Sequence, residues 1–164
     1  MINLLPWSDS DFWILEKANT KEMTTFIGGP ESKEEITKRH NKYLDSNNPG
    51  KVRMFKISVD DIDIGSIGYW EITLLDQLVY ETGWSVLPPY QKRGHATLAT
   101  IALIKILFSE AKHRYLHAFP SVLNEPSNRI CSKIGFEFQG ECDFECSPQK
   151  IMRSNNWRFD LKPE

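Results

Sequence analysis

The sequence predicts a mixed α/β (α+β) chain: a largely antiparallel, twisted sheet flanked by helices, with one parallel strand–helix–strand crossover. Three observations carry this. Apolar residues alternate over 52–59, 62–69 and 79–87, and short turns separate the runs, which describes an antiparallel meander. A run over 91–111 is apolar on most faces, as a central and well-buried helix would be. Tyr115 to Phe119 then reads as a short strand, so the helix crosses back over the sheet and leaves the strands near 80–87 and 115–119 parallel neighbours.

The elements follow in order along 1–164, read as one domain. Residues 2–7 suit a short strand. Ser8 or Asp9 can cap a helix carrying Phe12, Trp13, Leu15 and Glu16. Gly28-Gly29-Pro30 breaks the chain, and Ser32 with Glu35 makes a capping box for a second helix ending near Asn47-Asn48-Pro49-Gly50. In the meander, Asp60-Asp61 is the first hairpin turn, and Pro88-Pro89 closes the third strand. Asn124-Glu125-Pro126-Ser127 opens another helix with Pro in its first turn, and Gly135 ends it. Phe136 onward and Lys150 to Leu161 supply two final strands.

Composition narrows the function classes. The 164 residues carry 20 Lys+Arg against 22 Asp+Glu, a net charge of −2 that does not draw the chain to nucleic acid or an anionic membrane. Three Cys are too few for a disulfide scaffold and suit a reducing cytosol. The start lacks a basic segment and meets Pro6 and Asp9 before any long apolar run, unlike a signal peptide. Ile101 to Phe108, the most apolar stretch, is broken by Lys105 and is far shorter than a membrane span. The expectation is a cytoplasmic protein.

The chemistry concentrates in Val86-Leu87-Pro88-Pro89-Tyr90-Gln91-Lys92-Arg93-Gly94-His95-Ala96-Thr97. A strand stops at two prolines, and a donor-rich turn opens into the long helix. Unpaired N–H groups and the helix dipole make such a turn a ready phosphate or pyrophosphate site. Gly94 allows close backbone approach and Ala96 keeps the helix near its ligand, while Lys92, Arg93 and His95 add donors. The same features also describe a solvated basic turn. A Walker A loop is excluded because no second glycine, Lys and Ser/Thr fall in register, and a dinucleotide fingerprint needs three glycines.

Gln91-Lys92-Arg93-Gly94-His95-Ala96 resembles the Gln/Arg-x-x-Gly-x-Gly/Ala acetyl-CoA motif of the GNAT N-acetyltransferases, and Val86-Leu87-Pro88-Pro89-Tyr90-Gln91 resembles its usual lead-in. Asn124 to Phe136 is similar to the family's Asn-x-x-Ser/Ala…Lys-x-Gly-Phe segment, and Glu81-Thr82-Gly83-Trp84 to its Glu-x-Gly-Trp/Tyr strand. The opening Leu4-Leu5-Pro6-Trp7-Ser8 fits as well. Ser127 and Arg129 point to the branch containing the ribosomal-protein N-terminal acetyltransferases.

The resemblance implies acetyl-CoA as co-substrate and a primary amine, on a protein N-terminus or a small molecule, as acceptor. It implies a pyrophosphate held by backbone amides from Gln91 through Lys92, Arg93, Gly94, His95 and Ala96 to Thr97. It implies a pantetheine arm paired with backbone at Ser85 and Val86, with Asn124, Ser127 and Arg129 as further cofactor contacts. Glu81 is the candidate base, directly or through a water, and Ser127 the candidate acid. Cys131 stands where many relatives carry a Tyr acid. Met23 to Pro30, Trp13, Phe26 and Trp70 are candidate acceptor contacts. Dimers are common in such folds, though no residue here fixes an interface.

Two other classes stay open: an acyl-CoA-binding sensor without turnover, and an RNA-associated protein using Lys92, Arg93, Lys112, His113 and Arg114. No metal site is expected. Asp60, Asp61 and Asp63 lack the register of a cation loop, and neither the His113/His117 pair nor the Cys142/Cys146 pair completes a zinc set.

Overall fold

A computed structural model describes residues 1–45 and 51–162. Its centre is a seven-stranded sheet in the order β1-β2-β3-β4-β5-β7-β6. The strands are β1 (Ile2–Pro6), β2 (Val52–Val59), β3 (Ile62–Leu74), β4 (Gln77–Val86), β5 (Tyr115–Ala118), β6 (Glu137–Ser147) and β7 (Lys150–Asp160). The α-helices are α1 (Phe12–Ala18), α2 (Lys33–Leu44), α3 (His95–Glu110) and α4 (Glu125–Ile134). All pairs are antiparallel except β4 with β5, the expected crossover pair.

Local chemistry sets the element ends. The capping box at Ser32 and Glu35 forms: Glu35 N–H donates to Ser32 Oγ at 3.2 Å and Ser32 N–H to Glu35 Oε2 at 2.7 Å. Asp60 and Asp61 both take positive φ, as a tight hairpin turn requires, and Asp60 binds the amino terminus. Leu75 and Asp76 do the same between β3 and β4. Helix α2 ends at Leu44; the expected stop at 47–50 lies outside the described residues.

The main core lies between the sheet and α3. Phe55, Ile57, Ile64, Ile67, Leu103, Leu107 and Leu116 are each at most 2% exposed there. A smaller cluster of Trp7, Ile14 and Leu15, with Tyr43 and Met54 against it, seats α1 and α2. Trp7 Nε1–H donates to His40 Nδ1 at 3.1 Å, and His40 Nε2 faces Asp9 Oδ1 at 3.3 Å. Two polar links therefore fix the roll of α2, and with it the direction of Arg39, Lys42 and Tyr43.

Helix α3 departs from expectation twice. It starts at His95 rather than near residue 91, because Pro88–Tyr90 form a 3₁₀ turn and Lys92 and Gly94 take left-handed φ. It is also less enclosed than its composition suggests. The sheet covers only one side, so Leu98, Ile101 and Phe108 remain 49%, 37% and 56% exposed. No helix among the described residues is long and apolar enough to cross a membrane.

Candidate active site

The site begins where two parallel strands part. β4 pairs with β5 only at Tyr80/Leu116 and Glu81/His117, while its pairing with β3 continues to Val86. From Thr82 to Val86 one edge of β4 is therefore open, as an extended ligand adding itself like a strand would need. Ser85 and Val86 lie on that open stretch.

The chain then turns through residues 87–94 into α3. Gln91 Nε2–H donates to Val86 O at 2.8 Å, tying the turn to the end of β4. Gly94 takes φ +80°, and nothing lies within 4 Å of where its Cβ would be. Glycine is thus required by conformation rather than by crowding. Leu98 N–H is the first in α3 to reach a helical acceptor, Gly94 O at 3.1 Å. The N–H groups from Lys92 to Thr97 find no protein acceptor among the described residues, and the positive end of a 16-residue helix adds to their pull on an anion.

Behind the strand split lies a cavity of about 520 Å³. Glu81, Gly83 and Ser85 from β4, Ser127 and Asn124 at the start of α4, and Phe119 after β5 line it. Arg39, Lys42 and Tyr43 from α2, Trp70 from β3, and Met23, Phe26 and Ile27 line it as well. The tip of the β6–β7 hairpin, with Cys146 and Met152, closes the roof. Lys150 Nζ donates to Gly28 O at 2.9 Å, joining that tip to the Gly28-Gly29-Pro30 break.

Glu81 is the ionisable group at the centre. It is 9% exposed, and burial pushes its carboxyl up to about 7. Trp70 Nε1–H donates to its Oε2 at 2.8 Å, and that bond together with the charge of Lys42 pulls the other way without overcoming burial. A Cβ on Gly83 would stand 3.1 Å from the Trp70 ring, so the small residue makes room for the indole that holds Glu81. A carboxyl titrating near neutrality beside an apolar cavity can accept a proton from an ammonium.

A family model described as acetyltransferase (GNAT) domain matches residues 2–137. The chain belongs to the GNAT acetyltransferase family. An uncharacterized N-acetyltransferase of Bacillus subtilis, YnaD, is 28% identical over 117 residues, which are 70% of this chain and 65% of that protein, so the match spans less than two thirds of the relative. The aminoglycoside acetyltransferase AAC(6')-Ib, solved with coenzyme A, superposes with a TM-score of 0.81 at 16% identity over 98% of this chain and 95% of its own. An acetyltransferase from Salmonella typhimurium that modifies the N-terminal serine of ribosomal protein L7/L12 gives 0.78 at 14% identity over the same shares. At these identities the likeness to solved structures is one of fold.

Within this GNAT domain the sequence-selected residues divide into three groups. Glu81, Ser85, Asn124 and Ser127 line the cavity. Asn124 Oδ1 accepts from Ser127 N–H at 3.3 Å and caps α4, while the Ser127 hydroxyl has no hydrogen-bond partner among the described residues. Val86 and Gln91 to Thr97 build the edge and turn. Arg129 stands apart, exposed and paired with Glu125. Cys131 is fully buried and burial pushes its thiol up to about 12, the behaviour of a core residue.

Of the acceptor candidates, Met23, Thr24, Phe26, Ile27 and Trp70 line the cavity. Trp13 does not, because α1 turns its indole outward. Arg39, Lys42, Tyr43, Phe144 and Met152 were not singled out from sequence. Three come from α2 and one each from β6 and β7, and they share no motif. Among the basic residues of the RNA reading, Glu71 holds His113 at 3.0 Å and Asp160 holds Arg114 at 2.8 Å. Among the described residues no group of His, Cys, Asp or Glu is placed to hold a metal.

Proposed function

We propose that this GNAT protein transfers the acetyl group of acetyl-CoA to a primary amine, of a protein N-terminus or a small molecule, by direct attack on the thioester. The observation that carries the proposal is the position of Glu81. It faces the cavity at the residue where β4 loses its β5 partner, so a group laid along the open edge meets an acceptor beside that carboxyl.

The unspent N–H groups of Lys92 to Thr97 suit the pyrophosphate, and the open edge at Ser85 and Val86 suits the pantetheine amides. Glu81, as carboxylate, takes a proton from the acceptor ammonium. The freed nitrogen attacks the thioester carbon; the C–N bond forms, the C–S bond breaks with its electron pair on sulfur, and the nitrogen sheds its second proton to solvent to leave the neutral amide. Ser127, which lines the cavity, can pass a proton to the thiolate and recover one from solvent. If it does, Ser127→Ala lowers kcat about tenfold with acetyl-CoA affinity retained, and unchanged turnover would reduce Ser127 to a positional role.

Isothermal titration with acetyl-CoA, followed by a thiol-release screen over amines, tests the proposal. Micromolar binding with amine-dependent release supports it. Binding without release from any amine favours an acyl-CoA sensor, and no binding overturns the assignment of the turn.

A further inference from the structure

We infer that the acceptor is a zwitterionic small molecule: a monoamine that also carries a carboxylate, on an apolar or aromatic body, with Lys42 selecting the carboxylate. This rests on the proposed transfer to an amine and adds the charge and shape of the molecule that supplies it.

The charges facing the cavity make the case. Four ionisable residues among its described lining have clear charge roles: Glu31, Arg39, Lys42 and Glu81. Two of them form an ion pair, although Arg39 Nε is left without a hydrogen-bond partner among the described residues. Arg39 Nη2 donates to Glu31 Oε1 at 2.6 Å, and Arg39 Nη1 reaches the Tyr43 hydroxyl at 3.4 Å. What remains is one carboxyl, Glu81, and one ammonium, Lys42. Lys42 has no carboxylate within ion-pair distance among the described residues, yet its charge acts on Glu81. An acid and a base that face one cavity without closing on each other match a ligand bearing the opposite pair.

The same inventory disfavours a polycation. Several ammonium groups would need several unpaired carboxylates. Here one carboxyl is free, and Lys42 would repel a second ammonium. Lys42 also lines an adjoining recess with Trp70, Lys51 and Glu71, and Glu71 is held by His113 at 3.0 Å. The flexible stem of Lys42 can therefore meet a carboxylate either inside the cavity or at its mouth. The other walls, including Phe26, Trp70, Phe119, Phe144 and Met152, suit an apolar body.

Thiol release from acetyl-CoA, measured with matched acceptors, decides the matter. L-Phenylalanine and 2-phenylethylamine differ only in the carboxylate, phenylalanyl-glycine moves that group one residue outward, and spermidine is a polycation without one. The expected kcat/KM is at least about tenfold higher for phenylalanine or the dipeptide than for 2-phenylethylamine. The faster of the two tells a free amino acid from a peptide. Lys42 is an exposed helix residue, so Lys42→Glu should fold, and it should shrink or invert the ratio. Spermidine or 2-phenylethylamine outrunning both carboxylates would overturn the inference and leave amine acetylation standing, as would a ratio that Lys42→Glu does not move. Release from no amine while acetyl-CoA binds would instead overturn the proposed function, and this inference with it.

Discussion

The two halves of the site are built in opposite ways. The turn from Val86 to Thr97 is one contiguous stretch, and most of what it offers is backbone: an open strand edge, unspent amides and a helix terminus. The cavity beside it takes side chains from α2, β3, β4, the 19–31 segment, the start of α4 and the β6–β7 hairpin. A backbone site depends on local conformation, so a few residues such as Gly94 decide it. A side-chain cavity depends on how distant elements pack, so its selectivity can change while the turn stays as it is.

That division can be tested by separating the kinetic constants. The largest effect should come from Glu81, where the halves meet. Glu81→Gln should lower kcat/KM about a hundredfold. In the parent protein kcat/KM should rise with pH and level off above about 7, as the buried carboxyl loses its proton; the variant should lack that limb in a pH profile. Next is Gly94→Val, which forces a β-branched residue into φ +80°. The KM for acetyl-CoA should rise about tenfold with the acceptor KM nearly unchanged, and equal rises in both would erase the division. The smallest effect belongs to Lys150→Met, which removes the bond to Gly28 O that ties the roof to the wall. Steady-state kinetics should show the acceptor KM rising by roughly threefold, the acetyl-CoA KM not at all.

The same contrast explains what could be read in the sequence. The strands announced themselves by alternation, and the capping box at Ser32 and Glu35 formed as its letters suggest. The motif residues around Gly94 lie together because they adjoin in the chain. Helix α3 was harder to read, since composition reports how apolar a helix is and not how much of it the sheet covers. Leu98, Ile101 and Phe108 show the difference. The cavity walls were the least legible part. Phe26 and Trp70 were named among several aromatics, Trp13 was named with them and points away, and Arg39, Lys42 and Tyr43 carry no local sign that α2 leans over Glu81. Long-range contacts such as the Trp7–His40–Asp9 links, made across more than thirty residues, turn them there.

The buried carboxyl has a consequence for heat resistance. Glu81 titrates near its ordinary 4.5 in an unfolded chain and near 7 when folded. Between those values the folded protein holds a proton that the unfolded chain has released. The contribution of Glu81 to stability is therefore greatest below about 4.5, falls as pH rises through the window, and stays reduced above it. A glutamine brings no charge to strand there, and its amide oxygen can still accept from Trp70. Glu81→Gln should melt about 5 °C above the parent at pH 8, on the order of 1–3 kcal/mol, and at the same temperature at pH 4. The side chain best placed for transfer is one the fold would be sturdier without.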